Sequence, residues 1–318
     1  MPRNQGEVVL TTILLLQMVV GALANVILFF LNISPIWLGH RQRPTQTILT
    51  HMVVANLVIL LSPGIPHIMA AFVSSNPLSG LGCKFVYYMQ KVSCSTTLCS
   101  TCVLSTYQSF TLIPRRLEGM MLRGRVPKVI GPSCCTCWML GFLMYISVPV
   151  GITGPQDTNN YTDTQGRWFC STSARKAGFV YLWSTSDAVF IGLMVWSSGS
   201  MVLLLHRHHQ RMQCIHTPTW QHKCPPETRA AHTILMLVVT FVIFYVLDCI
   251  LAFYIAAILD LRLWLLHIAN ILASCFPSFS PLLLILRDPK TPRFCSWGEV
   301  VNSLRRRSFS NNHMFSLL

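Results

Sequence analysis

The dominant pattern of the chain is a succession of long apolar runs separated by short polar connections. The first run, residues 8–31, has 24 residues and no charged side chain. At a helical rise of about 1.5 Å per residue, it can cross a hydrocarbon core of about 30 Å with some tilt. Six more runs follow: 48–73, 83–114, 129–152, 179–206, 233–259 and 261–286. The pattern predicts an all-α membrane protein with seven spans, of which the third and fifth are partly polar and marginal by themselves.

The first run also admits a second interpretation, a signal peptide, because Ala22-Leu23-Ala24 resembles a cleavage site. The apolar region of a signal peptide is usually about 7–15 residues long. The run is longer than that, which favours a membrane helix. Seven spans place the two termini on opposite sides, so the sequence divides into an N-terminal segment at 1–7, a helix bundle at 8–286 and a basic tail at 287–318.

The composition changes this picture little. Hydrophobic residues make up 52% of the chain and charged residues only 11%, against about 25% charged residues in soluble proteins. The net charge of +14 raises the question of nucleic acid, and 13 cysteines raise that of a disulfide scaffold. Most of these cysteines lie inside apolar runs, where a thiol behaves as a small hydrophobe.

The distribution of lysine and arginine orients the bundle. One set of connections holds 17 of the 24 basic residues: 32–46, 115–128, 206–232 and 287–318. The other set holds 6: 1–7, 74–84, 153–178 and 260–262. Because basic residues collect on the cytoplasmic side, we expect the N-terminus outside and the C-terminus in the cytoplasm, in a multi-pass protein of the plasma membrane. A basic face beside anionic lipid accounts for the charge without nucleic acid.

Two features of the predicted outer side agree with that orientation. Asn160-Tyr161-Thr162 is an N-glycosylation sequon in an outer loop, whereas the sequon at Asn32 falls inside. Cys83 begins the third run and Cys170 lies in the loop before the fifth. An oxidising compartment would let these two cysteines pair.

A histidine-rich stretch at 206–224 has five histidines and two cysteines. A zinc site needs about four converging ligands, usually in closely spaced pairs. Cys214 and Cys224 are isolated from each other, which favours a basic, partly helical extension of the fifth span. We predict neither a metal site nor a cofactor.

Several positions resemble those of rhodopsin-like G-protein-coupled receptors. Asn25 and Trp138 resemble the marker residues of spans one and four, and Ser280-Pro281 stands for the usual Asn-Pro of span seven. Asn56 stands where span two usually has an aspartate, and we therefore expect weak or absent sodium modulation. The acid-arginine-tyrosine triplet that ends span three is missing, since the chain reads STYQSF there.

In these departures the chain resembles the vomeronasal type 1 receptors, a family of pheromone-type chemosensory receptors. The resemblance covers nearly the whole chain and is carried by several long segments: GCKFVYYMQKV, STCVLSTYQSFTLIP, GLMVWSSGSMVLLLHRHHQRMQ, PETRAAHTIL and FPSFSPLLLI. It implies a seven-helix receptor domain at 8–286 that activates a heterotrimeric G protein, of the inhibitory type. The inner ends of the spans then supply candidate G-protein contacts: Tyr107, Gln108, Arg115, Arg116, Arg207, Arg211 and Arg229.

Three ionisable residues fall inside the predicted spans, where charges are expensive and mark functional sites. They are Lys91, Asp187 and Asp248, and in a rhodopsin-like bundle all three lie in the outer half. Our hypothesis is that Lys91 pairs with Asp187 or Asp248, directly or across a ligand. The structural alternative is an ion pair that only fixes helix packing, or a lysine that reaches outward to the membrane surface.

The surrounding residues complete a candidate pocket. Its expected wall is largely apolar and aromatic: Tyr87, Tyr88, Cys94, Trp183, Phe190, Tyr245, Cys249 and Asn270. Sites for small molecules are mostly apolar with a few placed polar groups. We therefore expect a small volatile or steroid-like ligand.

Other classes of protein remain open at this point. Bitter-taste receptors compete, but they lack a pair of the Cys83–Cys170 type. A receptor relic without signalling is a second alternative. A seven-span channel or transporter is more remote, because no internal repeat is visible. An enzyme is not expected, since the chain has no metalloprotease, nucleophile-elbow or phosphate-loop motif.

Overall fold

A computed structural model describes residues 5–37, 39, 42–72, 80–112, 119–153, 171–172, 177–213, 226–257 and 263–287. Within these ranges the chain forms seven long helices: α1 (Gln5–Trp37), α2 (Pro44–Phe72), α3 (Gly80–Leu112), α4 (Gly119–Met144), α6 (Ala177–Gln213), α7 (Pro226–Ala257) and α8 (Leu263–Arg287). Between α4 and α6 lie three short elements: α5 (Val148–Gly151), β1 (Ile152–Thr153) and β2 (Ser171–Thr172). The predicted seven-helix membrane bundle is confirmed.

Helix α3 occupies the centre of the bundle, which explains its polar composition. Six of the described helices are long and apolar enough to span a membrane, and α3 is the long helix left out. It contacts α2, α4, α6 and α7, and its hydroxyl groups face these neighbours: Ser93, Thr96, Thr97, Ser100, Thr101 and Ser105 are all buried. The expectation of a marginal third span is correct. The same expectation for the fifth span is wrong, because α6 is long and apolar enough by itself to span a membrane.

The apolar surface of the bundle faces outward. Large side chains on four different helices are mostly exposed: Leu16, Leu143, Trp196 and Phe253. In water such a surface would drive association. In a bilayer it contacts lipid tails, which offer no hydrogen bonds, so most backbone groups of a membrane helix are paired within the helix itself.

Helix α1 is an integral part of the bundle. It packs against α2 and α8 and buries Leu14, Met18 and Leu28. Beyond its end, the amide of Gly39 donates to the carbonyl of Ile36, with Gly39 at a φ of 71° that favours glycine. These contacts support the membrane-helix interpretation over the signal peptide.

Two glycines allow neighbouring helices to approach closely. A Cβ on Gly21 of α1 would lie 2.5 Å from the hydroxyl of Ser278 on α8. A Cβ on Gly141 of α4 would lie 3.1 Å from the carbonyl oxygen of Val92 on α3. Small residues at such contacts let membrane helices pack by van der Waals contact, since lipid supplies no hydrophobic drive between helices.

The end of the bundle that is predicted to face outward carries a short antiparallel pairing of two strands. Helix α4 ends at Met144, and β1 then pairs antiparallel with β2, Ile152 opposite Thr172 and Thr153 opposite Ser171. Strand β1 contacts α3. Cys83, near the start of α3, is buried and disulfide-bonded. Its predicted partner Cys170 lies outside the described residues, as does Asn160, so the pairing and the glycosylation site stay predictions.

A second disulfide joins two helices in the middle of the bundle. Cys99 of α3 is bonded to Cys137 of α4, with their Cα atoms 5.7 Å apart. The interpretation of the cysteines in the apolar runs as small hydrophobes is therefore wrong for this pair. Both are buried, and the bond ties the central helix to its neighbour.

Candidate functional site

The middle of the bundle holds a group of neutral polar side chains, Asn25, Asn56, Thr97 and Ser280, here called the amide cluster. Asn25 connects α1 to α8: its Nδ2 donates to the carbonyl oxygens of Gly21 and Pro277, both at 2.8 Å. The acceptor at Pro277 is available because Pro281, four residues on, has no N–H to donate to it. Asn25 is fully buried, so each of these bonds satisfies a group that water cannot reach.

Asn56 is the centre of the amide cluster. Its Nδ2 donates to Ser280 Oγ at 3.1 Å and more weakly to Asn25 Oδ1 at 3.4 Å. Its Oδ1 accepts from Thr97 Oγ1 at 3.3 Å. One fully buried amide thereby links α1, α2, α3 and α8. A carboxylate at this position would have no amide hydrogens to donate, which makes asparagine the matching residue for these partners.

The half of the bundle that is predicted to be the outer one holds the three ionisable residues, here called the outer cluster: Lys91 on α3, Asp187 on α6 and Asp248 on α7. The charge of Lys91 interacts with those of both aspartates. The described residues supply Lys91 with no hydrogen bond and no ion pair. Its side chain is solvent-exposed although protein atoms surround it. Lys91 therefore faces an open space inside the bundle.

The two aspartates of the outer cluster differ in their partners. Asp187 accepts a hydrogen bond of 2.7 Å from the hydroxyl of Tyr245. Asp248 has no such partner among the described residues. Cys249 lies within hydrogen-bonding reach of the Tyr245 hydroxyl, and Cys94, one turn after Lys91, carries a free thiol. The predicted residues Lys91, Cys94, Asp187, Tyr245, Asp248 and Cys249 thus come together.

Two predicted pocket residues have their polar atoms engaged elsewhere. The hydroxyl of Tyr88 donates to the carbonyl of Phe142 at 2.9 Å, and Trp183 Nε1 donates to that of Met144 at 3.0 Å. Both acceptors lie in the last turn of α4, whose carbonyls have no helical partner. Tyr88 and Trp183 therefore anchor α3 and α6 to the end of α4.

The remaining predicted pocket residues lie on the walls of the bundle. Tyr87 is half-buried one turn before Lys91 and interacts with its charge. Phe190 packs against the main hydrophobic core. Asn270 is half-buried on α8. A role of these three residues in ligand binding stays a prediction.

One residue of the site escaped the sequence analysis. Tyr145 follows the last residue of α4, is buried, and packs its ring against that of Trp183 in a tilted arrangement with the centroids 5.1 Å apart. It also lies within electrostatic range of Asp187 and Cys94. The sequence offered no periodic signal for it, because it lies in the turn at 145–147 where the helical pattern stops.

The end of the bundle that is predicted to face the cytoplasm contains some of the predicted G-protein contacts. Gln108 is buried, and its Oε1 accepts from the hydroxyl of Thr111 at 3.4 Å. Tyr107 is half-buried against the main core, and Arg207 is exposed near the end of α6. The other four predicted contacts have side chains outside the described residues: Arg115, Arg116, Arg211 and Arg229.

Helices α3 and α6 also meet through serines near this inner end. The hydroxyl of Ser105 is hydrogen-bonded to that of Ser197 at 2.5 Å, with Ser198 at 3.5 Å. All three are buried. A buried serine contact therefore joins α3 to α6 close to the STYQSF sequence, which lacks the acid-arginine-tyrosine triplet. Among the residues that the structure describes, no three metal-ligating side chains converge, and most of the stretch at 206–224 lies beyond them.

The bundle, its central polar helix and its buried asparagines define a seven-helix membrane protein of the G-protein-coupled receptor type. Comparison with known proteins narrows this class. Residues 8–297 match the model of the vomeronasal organ pheromone receptor family. The vomeronasal type-1 receptor 4 of Homo sapiens is 35% identical over 286 residues, which cover 89% of this chain and 95% of the relative.

Two further relatives agree. The vomeronasal type-1 receptor 1 of Gorilla gorilla gorilla is 35% identical over 285 residues, 88% of this chain and 80% of the relative. The olfactory receptor class A-like protein 1 of Danio rerio is 30% identical over 285 residues, 87% of this chain and 88% of the relative. The chain belongs to the vomeronasal type 1 receptor family and is a multi-pass chemosensory receptor. The family assignment decides against the bitter-taste, transporter and enzyme alternatives.

Proposed function

We propose that the chain is a plasma-membrane receptor that binds a small, largely apolar ligand between α3, α6 and α7 and then activates a heterotrimeric G protein. The observation that carries the proposal is the outer cluster, where the exposed Lys91 lies within electrostatic range of two aspartates, and neither Lys91 nor Asp248 has a hydrogen-bond or ion-pair partner among the described residues. The proposed ligand is volatile or steroid-like, since the aromatic rings of Tyr87, Tyr145 and Tyr245 lie near the charged groups and small-molecule sites are mostly apolar with a few placed polar groups. Segment 1–7 lies outside, 8–286 forms the receptor domain and 287–318 forms a cytoplasmic tail.

Helix α7 connects the ligand site to the inner face. Tyr245 and Asp248 lie on its outer part, and Phe241, one turn inward of Tyr245, stacks on it at 5.9 Å and packs edge-on against Phe276 of α8 at 4.7 Å. A ligand that changes the Tyr245–Asp187 contact therefore also acts on the packing between α7 and α8. A ligand shifts the equilibrium only by its differential affinity for the two states.

The contact that stabilises the inactive state differs from that of receptors with an arginine at the end of span three. Gln108 is neutral and Tyr107 stands before it, so no ion pair can form at this point. The buried contact of Ser105 with Ser197 joins α3 to α6 instead. We propose that the inner ends of α3 and α6, with Tyr107, Gln108 and Arg207, contact an inhibitory-type Gα once α7 has moved.

The test is expression of the chain in cells with simultaneous surface staining and recording of cAMP. A panel of volatiles and steroids is applied with and without pertussis toxin, which blocks inhibitory-type G proteins. We expect a ligand-dependent fall in cAMP that the toxin abolishes. Surface-positive cells that respond to a ligand in spite of the toxin would contradict the inhibitory coupling. Surface-positive cells silent to the whole panel would contradict the proposed ligand class or identify a receptor relic.

A further inference from the structure

The outer cluster has a fixed polarity, because its cation and its carboxylates are on different helices. Lys91 belongs to α3, whereas Asp187 and Asp248 belong to α6 and α7. The charges interact, yet Lys91 has no ion pair with either aspartate within the described structure. The opposite charges are therefore separated by a gap beside the exposed Lys91, with the positive group on α3 and the negative groups on α6 and α7.

The hydrogen bonds within the outer cluster show which of its polar groups remain available to a ligand. Tyr245 satisfies one carboxylate oxygen of Asp187 at 2.7 Å. Asp248 and Lys91 receive no comparable bond from the described residues. A protonated lysine has three donors and no acceptor, and an ionised carboxylate only accepts. The space therefore lacks an acceptor beside Lys91 and a donor beside Asp248.

We propose that this receptor recognises an oxygenated ligand that presents an acceptor oxygen to Lys91 and a donor hydrogen to Asp248. This inference rests on the proposed function and specifies the ligand class. An apolar body bearing a hydroxyl group, or a hydroxyl and a carbonyl, meets both demands. A hydrocarbon meets neither, because it would displace water from both charges without replacing its hydrogen bonds.

Two cysteines of the cluster allow a test that needs neither a known ligand nor signalling. Cys94 lies one helical turn from Lys91, and Cys249 directly follows Asp248. Both thiols are free and half-buried. Membrane-impermeant methanethiosulfonates convert a thiol to a mixed disulfide and release methanesulfinate. The reagents are the anionic sulfonatoethyl compound, whose sulfonate is an acceptor group, and the cationic trimethylammonium-ethyl compound.

The experiment measures the rate of modification at each thiol on intact cells, by mass spectrometry of peptides from surface-isolated receptor. Cys249→Ala leaves Cys94 as the reporter, and Cys94→Ala leaves Cys249. We expect Cys94 to react faster with the anionic reagent and Cys249 with the cationic one, each by about tenfold, the lower end of the range for focused fields in clefts. Lys91→Met should remove the preference at Cys94, and Asp248→Asn that at Cys249.

Controls separate recognition from misfolding. Lys91→Arg keeps the charge and should keep the preference at Cys94. Lys84→Met removes a lysine from the outer end of the same helix and should leave both preferences unchanged. All variants are compared in cells with equal surface staining, so a variant that fails to fold does not enter the comparison.

Three results would overturn the inference: no modification of either thiol, equal rates for both reagents, or preferences that persist without Lys91 and Asp248. The cAMP recording tests the proposed function separately. A receptor that signals but shows no charge preference would refute the inference alone. A receptor that shows the preference but never signals would refute the coupling and leave the inference standing.

Discussion

The amide cluster and the outer cluster place polar groups in the same membrane in opposite ways. Asn56 is neutral, fully buried and bonded to three other side chains of the amide cluster. Lys91 is charged, exposed to an open space, and has no close partner among the described residues. Helix α3 contributes to both clusters, with Thr97 to the first and Lys91 to the second.

The difference shows that the partners of a polar residue in a membrane protein indicate its role. A neutral group whose bonds are all made within the bundle stabilises one arrangement of helices, because moving a helix would break bonds that lipid cannot replace. A charge without a partner stabilises nothing until a partner arrives, so its cost points to a ligand.

The largest effect is expected from breaking the covalent tie beside the amide cluster. Replacing Cys99 and Cys137 together with alanine should lower the free energy of unfolding by about 2–4 kcal/mol, since the bond restricts the unfolded chain. The measurement is the thermal midpoint of the detergent-solubilised receptor. Cys135→Ala, at an exposed free thiol on α4, is the control. A double variant as stable as the control would show that the bond contributes nothing.

Asn56→Leu should destabilise the receptor next most. It removes the amide nitrogen and oxygen of Asn56 and leaves Thr97, Ser280 and Asn25 with one partner fewer, at a cost of about 1–3 kcal/mol for buried groups left unsatisfied. Thermal midpoint and surface staining report the loss. Thr12→Val removes an exposed hydroxyl that bonds only within α1, and it should change neither. Equal behaviour of the two variants would refute the structural role of the cluster.

Gly21→Ala should destabilise by about 1–3 kcal/mol through overpacking. Its Cβ would meet Ser278 Oγ at 2.5 Å and Leu60 Cδ1 at 3.0 Å, which pushes α1 away from α8 beside Asn25. Gly131→Ala on α4 is the matched control, since nothing lies within 4 Å of its Cβ, and helix propensity favours alanine there. A Gly21→Ala midpoint at or above that of the control would contradict the described packing.

The smallest effect concerns sodium. The neutral amide cluster should bind no sodium, so exchanging sodium for choline at constant ionic strength should leave the thermal midpoint of the native receptor unchanged. Asn56→Asp would place a carboxylate among the oxygens of Asn25, Thr97 and Ser280, and sodium should then raise the midpoint by a small amount through binding to the folded state. A sodium-dependent shift in the native receptor would contradict the expectation.

The sequence predicts the number and position of the helices better than the contacts between them. Seven spans follow from run length alone, and the resemblance identifies Asn25, Asn56 and Ser280 as corresponding positions. Their mutual bonds could not be predicted, because hydrogen bonds between residues as far apart as Asn56 and Ser280 depend on how the helices pack. The Cys99–Cys137 bond escaped for the same reason, since spacing within one helix does not reveal which helix it faces.

In the candidate site, too, some residues could be predicted from the sequence and the contacts of others could not. Lys91, Asp187 and Asp248 were predictable because charges in apolar runs are conspicuous and rare. Tyr88 and Trp183 were assigned to the ligand wall from their aromatic character, whereas their polar atoms bond to the last carbonyls of α4. To predict these bonds, one would have had to know where α4 ends. No proline or charged residue marks that end at Met144.

The most direct test of the account is the potency of an agonist from the cAMP screen on the Lys91→Met receptor. The native receptor and Lys84→Met serve as references at matched surface levels. We predict that Lys91→Met raises the half-maximal concentration by about tenfold or more, as expected from losing a hydrogen bond to a charged group, while Lys84→Met leaves it unchanged. Equal potency in all three receptors would contradict a ligand site at the outer cluster.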